Sequence, residues 1–178
     1  MGLTEISEAL IALNQLKDKG IIEDYAIGGG YAVIYHQVPY STYDLDIFAV
    51  LDSEENILTL TPVYDFFRER GNKVQGEYIY AGEMAVQILP NISPLADEAV
   101  RQAEKTEVAE IPTKVIGVEH LIALSLVPFR ITDKYRISRL IETADRILLD
   151  NIIDRFGNEE NQLRKRLKSI LGESQEIT

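Results

Sequence analysis

Residues 25–51 read YAIGGGYAVIYHQVPYSTYDLDIFAVL, and this segment carries the most informative pattern in the chain. A short apolar run ends in three glycines and is followed by residues that can continue as a helix, which predicts a strand, a glycine turn and a helix. After Pro39 the chain reaches Asp44-Leu45-Asp46, and residues 47–51 are all apolar. An uninterrupted apolar run predicts a strand covered on both faces, so the acidic residues at its start are the anomaly.

The two aspartates are two residues apart in the predicted strand. Their side chains therefore project from the same face, about 6.6 Å apart along the strand. Two neighbouring carboxylates repel each other and resist burial, so one pKa should rise unless a positive group lies between them. Oxygen ligands favour Mg²⁺, Mn²⁺ or Ca²⁺, and Mg²⁺ is usually bound by one or two carboxylates together with substrate phosphates. Asp44 and Asp46 therefore predict a metal site that also takes a nucleotide.

The glycine turn supplies the other half of this hypothesis. Without Cβ atoms, backbone N–H groups at a strand-to-helix turn can approach an anion, so Gly28, Gly29 and Gly30 are candidates for binding a triphosphate. The fifteen residues from Gly29 to Asp44 are enough for a helix and a return loop. The simpler alternatives are a tight glycine turn and a strand cap. A Rossmann cofactor site is disfavoured because Gly-x-Gly-x-x-Gly is missing.

Length and composition indicate a globular protein. The chain has 178 residues, of which 46% are hydrophobic and 26% charged, and this favours one main core. We expect a nucleotide-binding sheet domain in residues 1–117 and a helical region in residues 118–178 packed on it.

Apolar periodicity and turn residues predict the remaining elements. Together they predict an α+β (mixed α/β) protein with a small mixed sheet flanked by helices and a C-terminal helical extension. The predicted elements are a helix over 3–19, a helix over 55–70 with a break at 61–62, a hairpin of 74–80 with 84–89, a helix near 95–104, a strand at 114–116, and helices from 118 onward with breaks at 128, near 150 and at 157.

Charge and residue usage exclude several classes of function. The net charge of −11 opposes a broad nucleic-acid footprint. The chain has no cysteine and only two histidines, so a bound metal must be held by oxygen. The sequence shows no run of about 20 apolar residues and no signal peptide, so we expect no membrane association and a cytoplasmic protein.

The segments 27–32 and 39–48 together resemble the signature of the DNA polymerase β-like nucleotidyltransferase superfamily, a Gly-Gly turn followed by Asp-x-Asp. The similarity is to the small bacterial group that includes the AbiEii-type abortive-infection toxins, and it continues weakly through residues 86–90, the helix at Leu95, residues 115–121 and residues 130–133. It implies that Asp44 and Asp46 bind one or two Mg²⁺ ions for in-line attack on the α-phosphorus. The nucleotide-binding residues that it implies are Gly28, Gly29, Gly30, Thr42 and Arg130.

Three positions depart from the family pattern. Gln87 stands where active members often carry a third carboxylate, Tyr40 where an Arg is frequent, and Ser125 where a Lys is frequent. Glu77 or Glu83 could replace the missing carboxylate, although both also fit solvent-facing positions. Arg130 and Asp133 could contact phosphate or pair with each other.

Three functional hypotheses follow. The first is transfer of a nucleoside monophosphate from a nucleoside triphosphate to a protein or RNA acceptor, with the chain as the toxin of a pair and an antitoxin protein as its partner. The second is a catalytically degenerate module that binds a nucleotide or a protein. The third is a regulatory partner without nucleotide, which requires protein donors to satisfy Asp44 and Asp46.

Overall fold

The computed structural model describes residues 3–51, 59–158 and 162–172. Within these ranges the chain forms eight helices and seven strands. The helices are α1 Leu3–Asp18, α2 Gly29–Tyr35, α3 Thr61–Glu69, α4 Pro94–Arg101, α5 Val118–Leu126, α6 Ile131–Leu140, α7 Arg146–Phe156 and α8 Leu163–Leu171. The strands are β1 Ile22–Ile27, β2 Asp44–Leu51, β3 Lys73–Gln75, β4 Tyr78–Ala81, β5 Met84–Pro90, β6 Glu104–Val108 and β7 Ile111–Val115.

All seven strands form one mixed sheet in the order β3-β4-β5-β2-β1-β7-β6. The pairs β2/β5 and β1/β7 are parallel, and the other four pairs are antiparallel. The predicted class, a mixed sheet flanked by helices, is therefore confirmed. Since β2 is the central strand, its acidic start lies in the middle of the sheet.

Side chains of β2 alternate between the two faces of the sheet. Leu45, Ile47 and Ala49 are fully buried. Ala49 pairs with Tyr25 of β1, and the Tyr25 hydroxyl donates a 2.8 Å hydrogen bond to Asn14 of α1, so these apolar residues face α1. The opposite face of β2, which carries the two aspartates, contacts α2 and α4.

The C-terminal helices pack around α5. Helices α6, α7 and α8 all contact α5, which in turn contacts α2 and α4 on the sheet. The predicted helical extension is therefore confirmed, while the division into units 1–117 and 118–178 stays a prediction. No helix in the described part of the chain has the length and apolar character that crossing a membrane requires.

The prediction between α4 and β7 was wrong in one respect. The helix predicted near 95–104 ends at Arg101, and Glu104–Val108 forms the edge strand β6, which the sequence analysis did not include. Three of its five residues are exposed and only Val108 is buried, so β6 lacks the apolar alternation by which strands are recognised. Backbone hydrogen bonds to β7 stabilise this strand, which its own sequence pattern does not predict.

The break predicted near Asp150 was also wrong. Helix α7 runs through Asp150, and the interruption lies at 141–145, where the Asp145 carboxylate caps α7 by accepting the N–H groups of Ile147 and Leu148. The predicted strand over 74–80 is divided by a turn at Gly76. In the helix predicted over 55–70, residues 55–58 lie outside the described residues, and α3 begins at Thr61.

Candidate active site

A cleft of about 830 Å³ opens between the sheet and the C-terminal helices. Asp44, Asp46 and Gln87 line its sheet side, and residues of α5 and α6, among them Leu124 and Arg136, line its helical side. The predicted metal-binding aspartates therefore lie together on the wall of one cavity. Its volume is in the range of small-molecule sites.

The parallel register of β2 and β5 gives the cleft a polar end and an apolar end. Asp46 pairs with Gln87, and two residues further along the same face Phe48 pairs with Leu89. All four side chains line the cleft. The structure thus places Gln87 directly beside Asp46, on the neighbouring strand.

The glycine turn holds Asp46 by close packing. The Gly28 N–H donates a 2.8 Å hydrogen bond to the Asp46 backbone carbonyl. Gly29 has a φ of +53°, and a Cβ built there would lie 1.7 Å from Asp46 Oδ2. Only glycine permits this backbone conformation together with so close a carboxylate. The turn therefore positions the predicted metal ligand directly.

Thr42 supports the other aspartate. Its hydroxyl donates a 2.8 Å hydrogen bond to Asp44 Oδ1, and a Cβ on Gly30 would lie 2.7 Å from the Thr42 Cβ. Of the predicted nucleotide-binding residues, Gly29, Thr42 and Arg130 line the cleft. Gly28 packs behind the turn against Phe48, and Gly30 packs against Thr42.

The electrostatics of the two aspartates are unequal. Burial and the negative charge of Asp44 raise the pKa of Asp46 to about 6, against the opposing effects of the Arg136 charge and of a hydrogen bond from the Gly30 N–H. The rise that the sequence predicted for one carboxylate of the pair therefore falls on Asp46. A cation bound between the two carboxylates would reverse it.

Arg136 is a cleft residue that the sequence analysis did not single out. Its guanidinium lies across the cleft from the strand, and its charge acts on Asp46. Asp133 lies one turn earlier on α6 with one side-chain oxygen 3.7 Å from Arg136 Nη1. The three-residue spacing of these residues predicts a shared helix face, but no local signal shows that the face looks into the cleft.

Arg130 and Asp133 do interact, although not as a pair of side chains. The Arg130 backbone N–H donates a 2.8 Å hydrogen bond to Asp133 Oδ2 and so caps α6. The Arg130 side chain is exposed at the rim of the cleft. The positions of the expected family cations, Tyr40 and Ser125, both line the cleft, and Ser125 is buried.

The two aspartates could bind a metal ion only together with ligands from outside the protein. Among the described residues, no group of three or more His, Cys, Asp or Glu side chains could hold a metal ion. Glu77 and Glu83 are exposed in turns outside the cleft lining, so neither supplies a third carboxylate. Two carboxylates fit Mg²⁺ that completes its coordination with phosphate oxygens and water.

Comparison with solved structures shows the fold. The antibiotic-resistance factor ANT(2'')-Ia, solved in solution, is 16% identical with a TM-score of 0.53, and the match covers 96% of this chain and 95% of that one. An antigenic nucleotidyltransferase-like protein from Paracoccidioides brasiliensis is 18% identical with a TM-score of 0.53, over 92% of each chain.

A crystal structure of ANT(2'')-Ia in complex with adenylyl-2''-tobramycin matches as well, at 15% identity and a TM-score of 0.53 over 86% of this chain and 95% of that one. No family model matches the sequence, and no curated protein matches it. At these identities the likeness establishes a nucleotidyltransferase-like fold.

Proposed function

We propose that this chain is a nucleotidyltransferase that transfers a nucleoside monophosphate from a nucleoside triphosphate to an acceptor and releases pyrophosphate. One observation carries the proposal. Asp44 and Asp46 lie on the same face of the central strand, in a cleft of about 830 Å³, with Asp46 packed against Gly29. The solved structures of the same fold include one in complex with adenylyl-2''-tobramycin.

In this proposal Asp44 and Asp46 hold Mg²⁺, or Mn²⁺ in its place. When bound, the metal orients the phosphates and neutralises charge that develops on them during in-line displacement. The protein's own part is positioning: Thr42 orients Asp44, and the glycine turn fixes Asp46. Gly29, Thr42 and Arg130, which line the cleft, stay in the proposed nucleotide-binding set.

For the acceptor we propose a protein or an RNA, with the protein favoured because the net charge of −11 repels RNA. The complex of ANT(2'')-Ia with adenylyl-2''-tobramycin adds a small molecule such as tobramycin as a further candidate. The resemblance to AbiEii-type proteins supports a toxin with an antitoxin partner, and we propose a cytoplasmic location, where nucleoside triphosphates are available.

The test is calorimetric titration of ATP, GTP, CTP and UTP, each with and without Mg²⁺, into the wild type and into an Asp44→Asn, Asp46→Asn double variant. The matched control is Asp150→Asn with Asp154→Asn, which removes the same charge from exposed positions of α7. We expect metal-dependent binding of at least one nucleotide in the wild type and the control, and its loss in the cleft variant.

Transfer itself is tested with a triphosphate labelled at the α-phosphorus. Incubation with cell protein, with RNA and with tobramycin then shows which acceptor class becomes labelled. If the folded wild type binds no nucleotide under any condition, the proposed function is wrong.

A second candidate is the degenerate module, which binds nucleotide without turnover. It is favoured by Gln87, which stands beside Asp46 where a carboxylate would give a third acidic ligand. Gln87→Glu separates the two candidates. In a degenerate module it would create transfer activity that the wild type lacks, whereas in an active enzyme it would change an existing rate only modestly.

A further inference from the structure

The cleft is lined by two basic side chains, Arg130 and Arg136. They differ in burial. The Arg130 side chain is exposed at the rim, where water and salt screen its charge. The Arg136 side chain is only 19% exposed. A guanidinium removed from water is the stronger candidate for binding an anion, because its interactions are screened less.

Arg136 is held in place but not fully paired. Its guanidinium carbon lies 5.9 Å from the centre of the Tyr40 ring, and Tyr40 stacks on Tyr135 with ring centres 5.8 Å apart. Its ion pair with Asp133 is long, at 3.7 Å. Its Nε is buried and has no hydrogen-bond partner in the described part of the chain. A buried donor without a partner is costly and is the exception in folded proteins.

Contacts of Tyr40 connect Arg136 to the glycine turn. Tyr40, against which Arg136 lies, also contacts the glycine turn: a Cβ on Gly30 would lie 3.0 Å from Tyr40 Cε1. The charge of Arg136 also acts on Asp46. Arg136 therefore lies close to both the turn and the carboxylates.

The backbone of the glycine turn is largely committed to the protein itself. The Gly28 N–H donates to the Asp46 carbonyl, and the Gly30 N–H donates to the Asp46 side chain. A phosphate chain that reaches a metal on Asp46 therefore needs its balancing positive charge from a side chain.

We infer that Arg136 is the principal phosphate-binding residue of the cleft and that its Nη groups take oxygens of an oligophosphate chain. The identification of that chain as a nucleoside triphosphate rests on the proposed function. A planar guanidinium presents parallel N–H donors to two phosphate oxygens in a fixed geometry, whereas an ammonium group acts as a point charge with freely rotating donors. Because Tyr40 and Asp133 already restrict Arg136, binding costs less ordering of the side chain.

The test uses inorganic tripolyphosphate and ATP, each with Mg²⁺, titrated calorimetrically into the full chain. The variants are Arg136→Gln, Arg136→Lys and Arg130→Gln. The control is Arg139→Gln, an exposed arginine one turn further along α6 and outside the cleft lining.

We expect Arg136→Gln to weaken both ligands by about 100-fold, as for loss of one partner of a desolvated charge pair. Arg136→Lys should weaken them by about 10-fold, because the charge stays and the two-point geometry is lost. Arg139→Gln should bind like the wild type, and Arg130→Gln should lose less than Arg136→Gln. Thermal melting checks that each variant is folded, and if Arg136→Gln is not, the lysine variant decides.

Unchanged tripolyphosphate affinity in the folded Arg136 variants would overturn the inference, as would a larger loss in Arg130→Gln. Failure of the wild type to bind either ligand would overturn it together with the proposed function. Arg136-dependent binding without any transfer would refute only the transferase activity. Transfer with unchanged affinity in the Arg136 variants would refute only the role of Arg136.

Discussion

Asp24 and Asp46 lie on adjacent strands of one sheet, but their negative charges are neutralised to different extents. The Asp24 carboxylate forms salt bridges with Lys17 Nζ at 2.8 Å and with Lys114 Nζ at 2.5 Å. Burial opposes its ionisation, but these two lysines outweigh the effect and hold the pKa of Asp24 below its ordinary value. In contrast, burial and the Asp44 charge raise the pKa of Asp46 to about 6.

The contrast separates a charge that the protein neutralises itself from one that we propose to be functional. Along β1, about four residues or about 13 Å divide the two sites, so the same sheet supports both. At Asp24 the chain provides its own cations. At Asp46 the compensation is incomplete, which costs stability in the absence of ligand and agrees with the proposed binding of a cation.

The largest expected effect comes from Asp46→Asn. This change removes the charge but keeps the shape, so we expect nucleotidyl transfer to fall by about 1000-fold or more. The melting temperature should stay the same or rise. Asp24→Asn is the comparison variant and should leave the transfer rate unchanged while lowering the melting temperature. Retention of transfer within about 10-fold in Asp46→Asn would contradict the assignment.

Gly29→Ala would place a methyl group against the Asp46 carboxylate. Because the residue has positive φ and its Cβ would overlap Asp46 Oδ2, we expect unfolding free energy to fall by about 3 kcal/mol or more. Gly20 is the matched control, since its φ is +69° but nothing lies within 4 Å of a Cβ there. Gly20→Ala should cost about 1 kcal/mol. Equal losses in urea titration would show that Asp46 is free to move away.

The pH dependence of stability tests the raised pKa of Asp46. A group whose pKa is raised on folding stabilises fully below its unfolded value of 3.8, and that contribution is lost as pH rises through about 6. Without metal or nucleotide, the wild type should therefore lose up to about 3 kcal/mol relative to Asp46→Asn between about pH 4 and 7. Urea unfolding of both proteins across this range measures it, and parallel curves would contradict the prediction.

The smallest effect, with the opposite sign, is expected at Asp24. Because its pKa is lowered on folding, Asp24 stabilises the protein above its unfolded pKa of 3.8. This contribution is lost as pH falls through the pKa of the folded state. Asp24→Asn should cost about 1–2 kcal/mol at pH 7, because Lys114, only 12% exposed, loses its carboxylate partner. The difference from the wild type should shrink below pH 3.8. Urea titrations at pH 3 and 7 check this, and a constant difference would count against it.

Features that depend on residues close together along the chain were predicted correctly, and features that depend on distant contacts were not. The strand after Asp46 and the shared face of the two aspartates were predictable, because both depend on alternation within one strand. The edge strand β6 was missed, because its stability comes from pairing with β7 rather than from its own apolar pattern. The interruption near Asp150 was misplaced, because the cap at Asp145 outweighs the polar residues further along.

The mixed class, the glycine turn, the buried strand and the pair of carboxylates could all be predicted from the sequence. Each of these rests on the chemistry of residues close together along the chain. The family resemblance pointed to Gln87 as a neighbour of the two aspartates, but the contact of Arg136 with this site depends on tertiary packing. The parallel pairing of β2 with β5 places Gln87 next to Asp46. The packing of α6 across the cleft brings the charge of Arg136 near Asp46. Contacts between distant segments depend on how whole elements pack, and periodicity within one element carries no record of them.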